Sequence, residues 1–282
     1  MIEGLLPEDP AAIGPYRLLA RWPGPRQGLS DASMFLGRGR DHTHTVICLL
    51  PPAAYQAAAV LRRSPVPGVP AVLDLRTGTD LSWVSLAHTP AVALSDVTRP
   101  APAAELLSLG QAVRLTGAVA GTLAGLHALG VSYGAVAPDG VWLTTGGPLL
   151  LALHACRTPR GTAVSRGGRP GRAARSGVLE TDGRVSMVAP SFMAPEVAVG
   201  GPPSAAADVY ALAVLMIHTA TGRLPFGEGP PPVLAYRAAH GRPELHGLNG
   251  ELGEAVAAAL APAPADRPTA AELSRAAARW EG

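Results

Sequence analysis

Arginine is the only strongly basic side chain in this 282-residue sequence: all 23 Lys+Arg positions are arginine, and asparagine occurs once, at Asn249. A lysine ammonium and an asparagine amide are groups with which phosphoryl-transfer sites hold nucleotide phosphates and a magnesium ion. Neither can be placed here. The arginines that are present crowd between Cys156 and Met187: Arg157, Arg160, Arg166, Arg169, Arg172, Arg175 and Arg184 face only Glu180 and Asp182 in sequence. Gly167, Gly168 and Gly171 keep that stretch flexible. Guanidinium groups at Arg166, Arg169, Arg172 and Arg175 can clamp an acidic or phosphorylated protein surface through bidentate, charge-assisted hydrogen bonds. A solvated basic insertion fits the same residues equally well. Nucleic acid is a poorer match, because no aromatic residues interleave with the arginines and no second basic patch accompanies them. Two further groups carry possible chemistry. Cys48 and Cys156 could form a redox pair, but two separate buried thiols is the reading adopted, and the isolated imidazole of His154 reads as a packed structural residue.

Stepping outward to the elements, 48% hydrophobic and 16% charged residues describe a globular chain whose core, with 4% aromatics, is built from Ala, Leu and Val. Two cysteines are too few for a disulfide framework and point to a reducing, cytoplasmic setting. The opening residues have no secretory pattern, and the apolar stretches are short or broken, so no membrane association is expected. Short β-like runs, YRLLARW, SMFLG, TVICLL, AVLDLR and LSWVSL, alternate with Gly/Pro turns between Tyr16 and Pro90, and a helix over about 53–63 interrupts them. Leu109, Val113, Val119, Leu123 and Leu126 then recur on one helical face that begins near Leu106 and ends at Gly130. VWLTTGGPLLLAL reads as a hairpin, and residues 156–187 as a long loop. A strongly apolar helix led in by Ser204 follows. Gly229-Pro230-Pro231-Pro232 reads as a rigid connector, with a short polyproline segment as the other option. Thr269-x-x-Glu272 is a capping box that starts the last helix.

Ala194-Pro195-Glu196, twelve residues before Asp208 in APSFMAPEVAVGGPPSAAADVYALAVLMIHTATGRLPFGEG, together with ALAPAPADRPTAAEL around Arg267, resembles the end of the activation segment, the central helix and the final helical region of the protein kinase fold. Bacterial serine/threonine kinases of the eukaryotic-like type are the family it is most similar to, over about residues 14–280. The resemblance implies an α+β bilobal fold: a tail over 1–12, a small β-rich lobe over 13–89, and a mainly helical lobe over 90–282 containing the arginine-rich loop 156–187. It also implies structural roles: a Glu196–Arg267 ion pair, and Asp208 anchoring the catalytic-loop backbone.

The same resemblance assigns the chemical positions, with Pro138 fixing the register. Ala135 stands where the family has its catalytic aspartate, Ala137 where it has a lysine, and Gly140 where it has the magnesium asparagine. Leu153-His154-Ala155 stands in place of the Asp-Phe-Gly metal motif, and Cys48 in place of the strand lysine. Leucine offers magnesium no oxygen ligand. From these positions the expectation is a catalytically inactive, non-enzymatic regulatory module or scaffold of this family, with no cofactor or metal, that binds a protein partner. The alternative expectation is a small-molecule or metal-free nucleotide sensor using the degenerate cleft.

Overall fold

A computed structural model describes residues 3–22, 34–77, 82–98, 107–158, 180–181, 184–185 and 190–280. The chain opens with a six-stranded antiparallel sheet built from β1 (Ala12–Ile13), β2 (Tyr16–Arg21), β3 (Met34–Arg38), β4 (His44–Leu50), β5 (Val72–Arg76) and β6 (Ser82–Ala87), in the order β1-β2-β3-β4-β6-β5. Helix α1 (Pro52–Arg63) packs on one face. Alternation along β4 explains the layering, because successive side chains point to opposite faces. Val46 and Cys48 join the main core under α1, while Ile47 joins a smaller cluster with Ile13, Leu18, Phe35 and Trp83 on the other face. On α1, Ala54, Ala57, Ala58 and Leu61 are all buried, the spacing of one helical stripe, and three alanines let the helix approach the sheet closely.

The remainder is mainly helical. Strand β7 (Val92–Ala93) and helix α2 (Leu94–Thr98) lead to α3 (Leu109–Ala128); then β8 (Val141–Thr144) and β9 (Gly147–Leu150) form the expected hairpin, with β7 as a third strand. A two-stranded ladder, β10 (Glu180–Thr181) with β11 (Arg184–Val185), lies within the stretch read as a long loop. Helices α4 (Pro195–Ala198), α5 (Ala205–Thr221), α6 (Pro231–His240), α7 (Gly250–Ala259) and α8 (Ala270–Arg279) complete the chain.

Local rules account for most boundaries. Ser108 caps α3 and forms a capping box with Gln111, so this helix starts later than the apolar repeat suggested; Leu106 lies outside the described residues. Ser204 accepts from the Ala207 N–H at the start of α5, and Gly222, at φ +69°, closes that helix in the left-handed region that glycine adopts without strain. Thr269 and Glu272 form the expected box at α8. The proline stretch corrects one expectation. Pro231 opens α6 rather than a connector, because proline's fixed φ suits the first helical turn, where its missing N–H would have had no intrahelical partner. Buried almost all round, α5 packs against α3 and α7, while α3 packs most extensively on α8.

One ion pair ties these helices together. Arg267, with its side chain fully buried, donates two hydrogen bonds to Glu196 (2.7 and 2.8 Å) and three more to the carbonyls of Ala261, Ala206 and Pro262, and stacks over Tyr210. The guanidinium thereby joins α4, the first turn of α5 and the turn before α8. The Arg267→Met variant is expected to lose about 3–5 kcal/mol of unfolding free energy in urea titrations, with part of the loss recovered in the Arg267→Met/Glu196→Leu pair, because an unpaired buried charge is worse than none. A loss below about 1 kcal/mol for the single variant would show that the pair is incidental to stability.

Candidate functional site

The site begins at Asp208, in the first turn of α5 and 2% exposed. Its carboxylate accepts hydrogen bonds from the Tyr133 N–H and the Gly134 N–H, both at 2.7 Å, and lies 2.9 Å from Nε2 of His127 on α3. Two adjacent peptide groups are thus held by one side chain, fixing the loop 131–140 against the core. Tyr133 continues the connection. Its hydroxyl donates to the Gly140 carbonyl (2.6 Å) and accepts from the Ala152 N–H (3.1 Å), and burial pushes the phenol well above its usual range, so it remains a donor. The chain Asp208–Tyr133–Gly140/Ala152 links the central helix to both ends of the β8–β9 hairpin. Asp208 was expected to anchor this loop; Tyr133 and His127 were not singled out. A lone polar residue next to an apolar run carries no signal of where its hydroxyl or imidazole will reach.

Within the loop, Ala135 and Ala137 are buried, and Gly140 sits against Ala135. A Cβ at position 140 would fall on the Ala135 carbonyl oxygen, far inside contact distance. The backbone here is closed in a way that no other residue fits without a shift. Leu153 follows β9 in a short 3-10 turn and is 1% exposed. It places its side chain in the core.

The turn also carries His154 against the sheet. Nδ1 of His154 lies 3.4 Å from Cys48 Sγ on β4, and Nε2 is buried without a hydrogen-bond partner among the described residues. Burial holds the imidazole down at about 4 and pushes the Cys48 thiol up to about 12, so the pair is a neutral thiol beside a neutral ring. Cys156 is likewise buried, with its thiol pushed up by burial, and both cysteines are free. A reactive thiol needs a depressed pKa and access; these have neither. The segment after the turn is tied back by Ser132 and Arg157, which exchange backbone hydrogen bonds at 2.9 and 3.0 Å, while the Arg157 guanidinium donates to the carbonyls of His154 and Cys156.

The structure therefore gathers Cys48, Ala135, Ala137, Gly140, Leu153 and His154 around the junction of sheet and helices, and Asp208 beneath them. Arg166, Arg169, Arg172 and Arg175 lie outside the described residues. Two tryptophans that the sequence reading passed over, Trp22 after β2 and Trp142 on β8, meet across the junction with ring centroids 5.3 Å apart. Elsewhere, an open groove of about 590 Å³ is lined by Arg223, Arg237, Arg242, Glu228, Glu244 and His246 beside α6. No described helix is long and apolar enough to cross a membrane.

Comparison with known proteins places this geometry. The chain is 35% identical to the serine/threonine-protein kinase PkaB of Streptomyces coelicolor over 72% of its own length, and 30% identical to a Thermomonospora curvata protein named a probable serine/threonine-protein kinase, PkwA, over 97%. It is 26% identical to the serine/threonine-protein kinase AfsK of S. coelicolor, also over 97%. Its homologues are bacterial serine/threonine protein kinases. The chain spans 43%, 35% and 33% of the lengths of these three relatives. No family model matches. The Mycobacterium tuberculosis PknI kinase domain (C20A mutant) superposes with a TM-score of 0.61 at 22% identity, covering 95% of this chain and 96% of that one, which establishes the bilobal protein-kinase-like α+β fold.

These relatives correct the functional expectation. A non-enzymatic regulatory module, with a sensing cleft as its alternative, was inferred from the residues at five positions; the homologues are named as serine/threonine protein kinases, an enzyme family, and the inactive reading is withdrawn. The physical reason is that a missing side chain at a motif position removes one contribution to a barrier, and contributions to catalysis are neither additive nor confined to fixed positions.

Two measurements probe the site. Gly140→Asn should cost about 1–3 kcal/mol in chemical denaturation, as for other overpacked positions, and an unchanged midpoint would show the loop to be open there. His154 titrates lower in the folded state than the ordinary 6.5. The unfolded chain therefore takes up the proton first: this contribution to stability is intact above pH 6.5 and is lost as pH falls toward 4, by up to about 3 kcal/mol. The difference in unfolding free energy from urea titration between wild type and His154→Leu should shift by that order between pH 7 and pH 4.5, and a difference independent of pH would show that the imidazole is not buried neutral.

Proposed function

We propose that this chain is a serine/threonine protein-kinase domain, transferring the γ-phosphoryl group of a nucleoside triphosphate to a serine or threonine hydroxyl of a protein. Similarity to proteins named as such kinases, reaching 97% of the chain at 30% identity, is the observation that carries this reading. The Asp208-held loop supports it, since phosphoryl transfer depends above all on rigid positioning.

In this reading Cys48, Ala135, Ala137, Gly140 and Leu153 occupy the positions of the strand lysine, the catalytic aspartate, the loop lysine and the two metal ligands. Glu196, Arg267 and Asp208 are structural, and Arg166, Arg169, Arg172 and Arg175 meet an acidic or phosphorylated face of the protein partner. The metal positions do not fit a divalent ion: Leu153 is buried and apolar, and a side chain at 140 would strike the Ala135 carbonyl. No step is therefore routed through a protein-held metal. The acceptor oxygen forms its bond to the γ-phosphorus as the bond to the β-bridging oxygen breaks, the diphosphate leaves, and the hydroxyl proton passes to water. The backbone of 133–140 contributes orientation. Two free cysteines, which suit a reducing compartment, support a cytoplasmic setting for the reaction.

Each absent preorganised stabiliser commonly costs on the order of 100–1000-fold in rate. The domain is accordingly a slow kinase. Purified protein incubated with radiolabelled ATP, magnesium and a generic protein acceptor should yield phosphoserine or phosphothreonine after acid hydrolysis, at least about 100-fold more slowly than PkaB assayed in parallel. Transfer should fall further in Asp208→Asn. Label no greater than in enzyme-free controls, or label unaffected by the substitution, would overturn the proposal.

A further inference from the structure

We infer that Trp22 and Trp142 form an internal plug that closes the nucleotide cleft and must part before a nucleotide base can enter. The inference rests on the kinase reading and concerns the regulation of its site.

Placement comes first. The Trp22 N–H donates to the Met34 carbonyl (3.0 Å), and Met34 pairs directly with Cys48 across β3 and β4. Trp22, just past β2, therefore hangs from the same sheet as Cys48 on β4, the residue at the phosphate-lysine position, with β3 between them. Trp142 lies two residues beyond Gly140, in β8, whose partner β9 leads directly into the Leu153 turn. The two indoles thus come from the sheet and from the β8–β9 hairpin, and meet in the same buried cluster as Cys48, Ala135 and Leu153. Their centroids are 5.3 Å apart at 46°, and Trp22 and Trp142 are 5% and 7% exposed. A planar base inserted between two rings needs about 7 Å from ring to ring, twice the usual carbon–carbon contact distance of about 3.5 Å. The present contact leaves no such space.

A second observation separates a plug from ordinary packing. Nε1 of Trp22 is buried with no hydrogen-bond acceptor among the described residues. Buried indole N–H groups usually find a partner, and one left unsatisfied is costly. The closed contact therefore carries an internal penalty that a ligand acceptor, or water admitted when the rings separate, would remove. His88, just past β6, packs edge-on to Trp22 at 5.6 Å and is half-buried, so the ring has a polar neighbour toward which it can turn.

Such a plug lowers apparent affinity by the fraction of molecules that are open. Titration calorimetry of the purified chain with magnesium-ATP should give a dissociation constant for Trp142→Ala at least about tenfold tighter than for wild type, corresponding to an open fraction of about one-tenth or less. Because truncation can unfold the junction, Trp142→Leu and Trp22→Leu are measured alongside. Loss of the exciton signal of paired indoles in the far-ultraviolet circular dichroism, with helix signals retained, confirms that the contact alone has been removed. Affinity within about twofold of wild type in every folded variant, or no detectable binding in any of them, overturns the plug. The kinase reading fails separately: it falls if the variants bind more tightly yet none transfers phosphate, and it survives if wild type transfers phosphate while the variants bind no better.

Discussion

One buried carboxylate sets the geometry on which the rest of this molecule depends. Asp208 gathers two consecutive backbone N–H groups and an imidazole, and the buried Tyr133 N–H would otherwise be a donor left without a partner in the core. Because the acceptor is charged, these hydrogen bonds are among the stronger kind. Because the donors are peptide groups, the loop cannot drift without breaking them. Tyr133 passes the constraint on, through a hydroxyl that both donates and accepts, to Gly140 and Ala152. Central helix, loop and hairpin are therefore joined by one continuous set of hydrogen bonds.

Upon this frame the junction of sheet and helices is apolar. Trp22, Met34, Cys48, Ala135, Trp142 and Leu153 belong to one continuous buried cluster with the helices below. Polar groups that enter it are neutralised by burial: the His154 imidazole and the Cys48 thiol both shift away from their charged forms. The lobe junction is stabilised in the manner of a hydrophobic core.

The sequence-based functional expectation failed where it treated motif positions as sufficient. Reading alanine, glycine and leucine at Ala135, Ala137, Gly140 and Leu153 describes those positions well, and the structure adds that a side chain at 140 is blocked by backbone. Inferring the absence of an activity from them was a different step, and the named relatives contradict it. Side chains absent from a motif bound the rate of a reaction; they do not define the family's reaction.

Local and periodic features were decided by the sequence itself. The alternation in β4, the stripe of alanines on α1, and the serine and threonine caps at Ser204 and Thr269 follow from short-range spacing, whereas the Glu196–Arg267 pair, 71 positions apart, was implied only by the family resemblance. The tertiary structure alone decided the rest. Tyr133 reaches residues 7 and 19 positions away, His127 meets a carboxylate 81 positions on, and Trp22 finds Trp142 across the junction. No periodicity encodes such contacts, because they depend on how the sheet and the helices are set against each other.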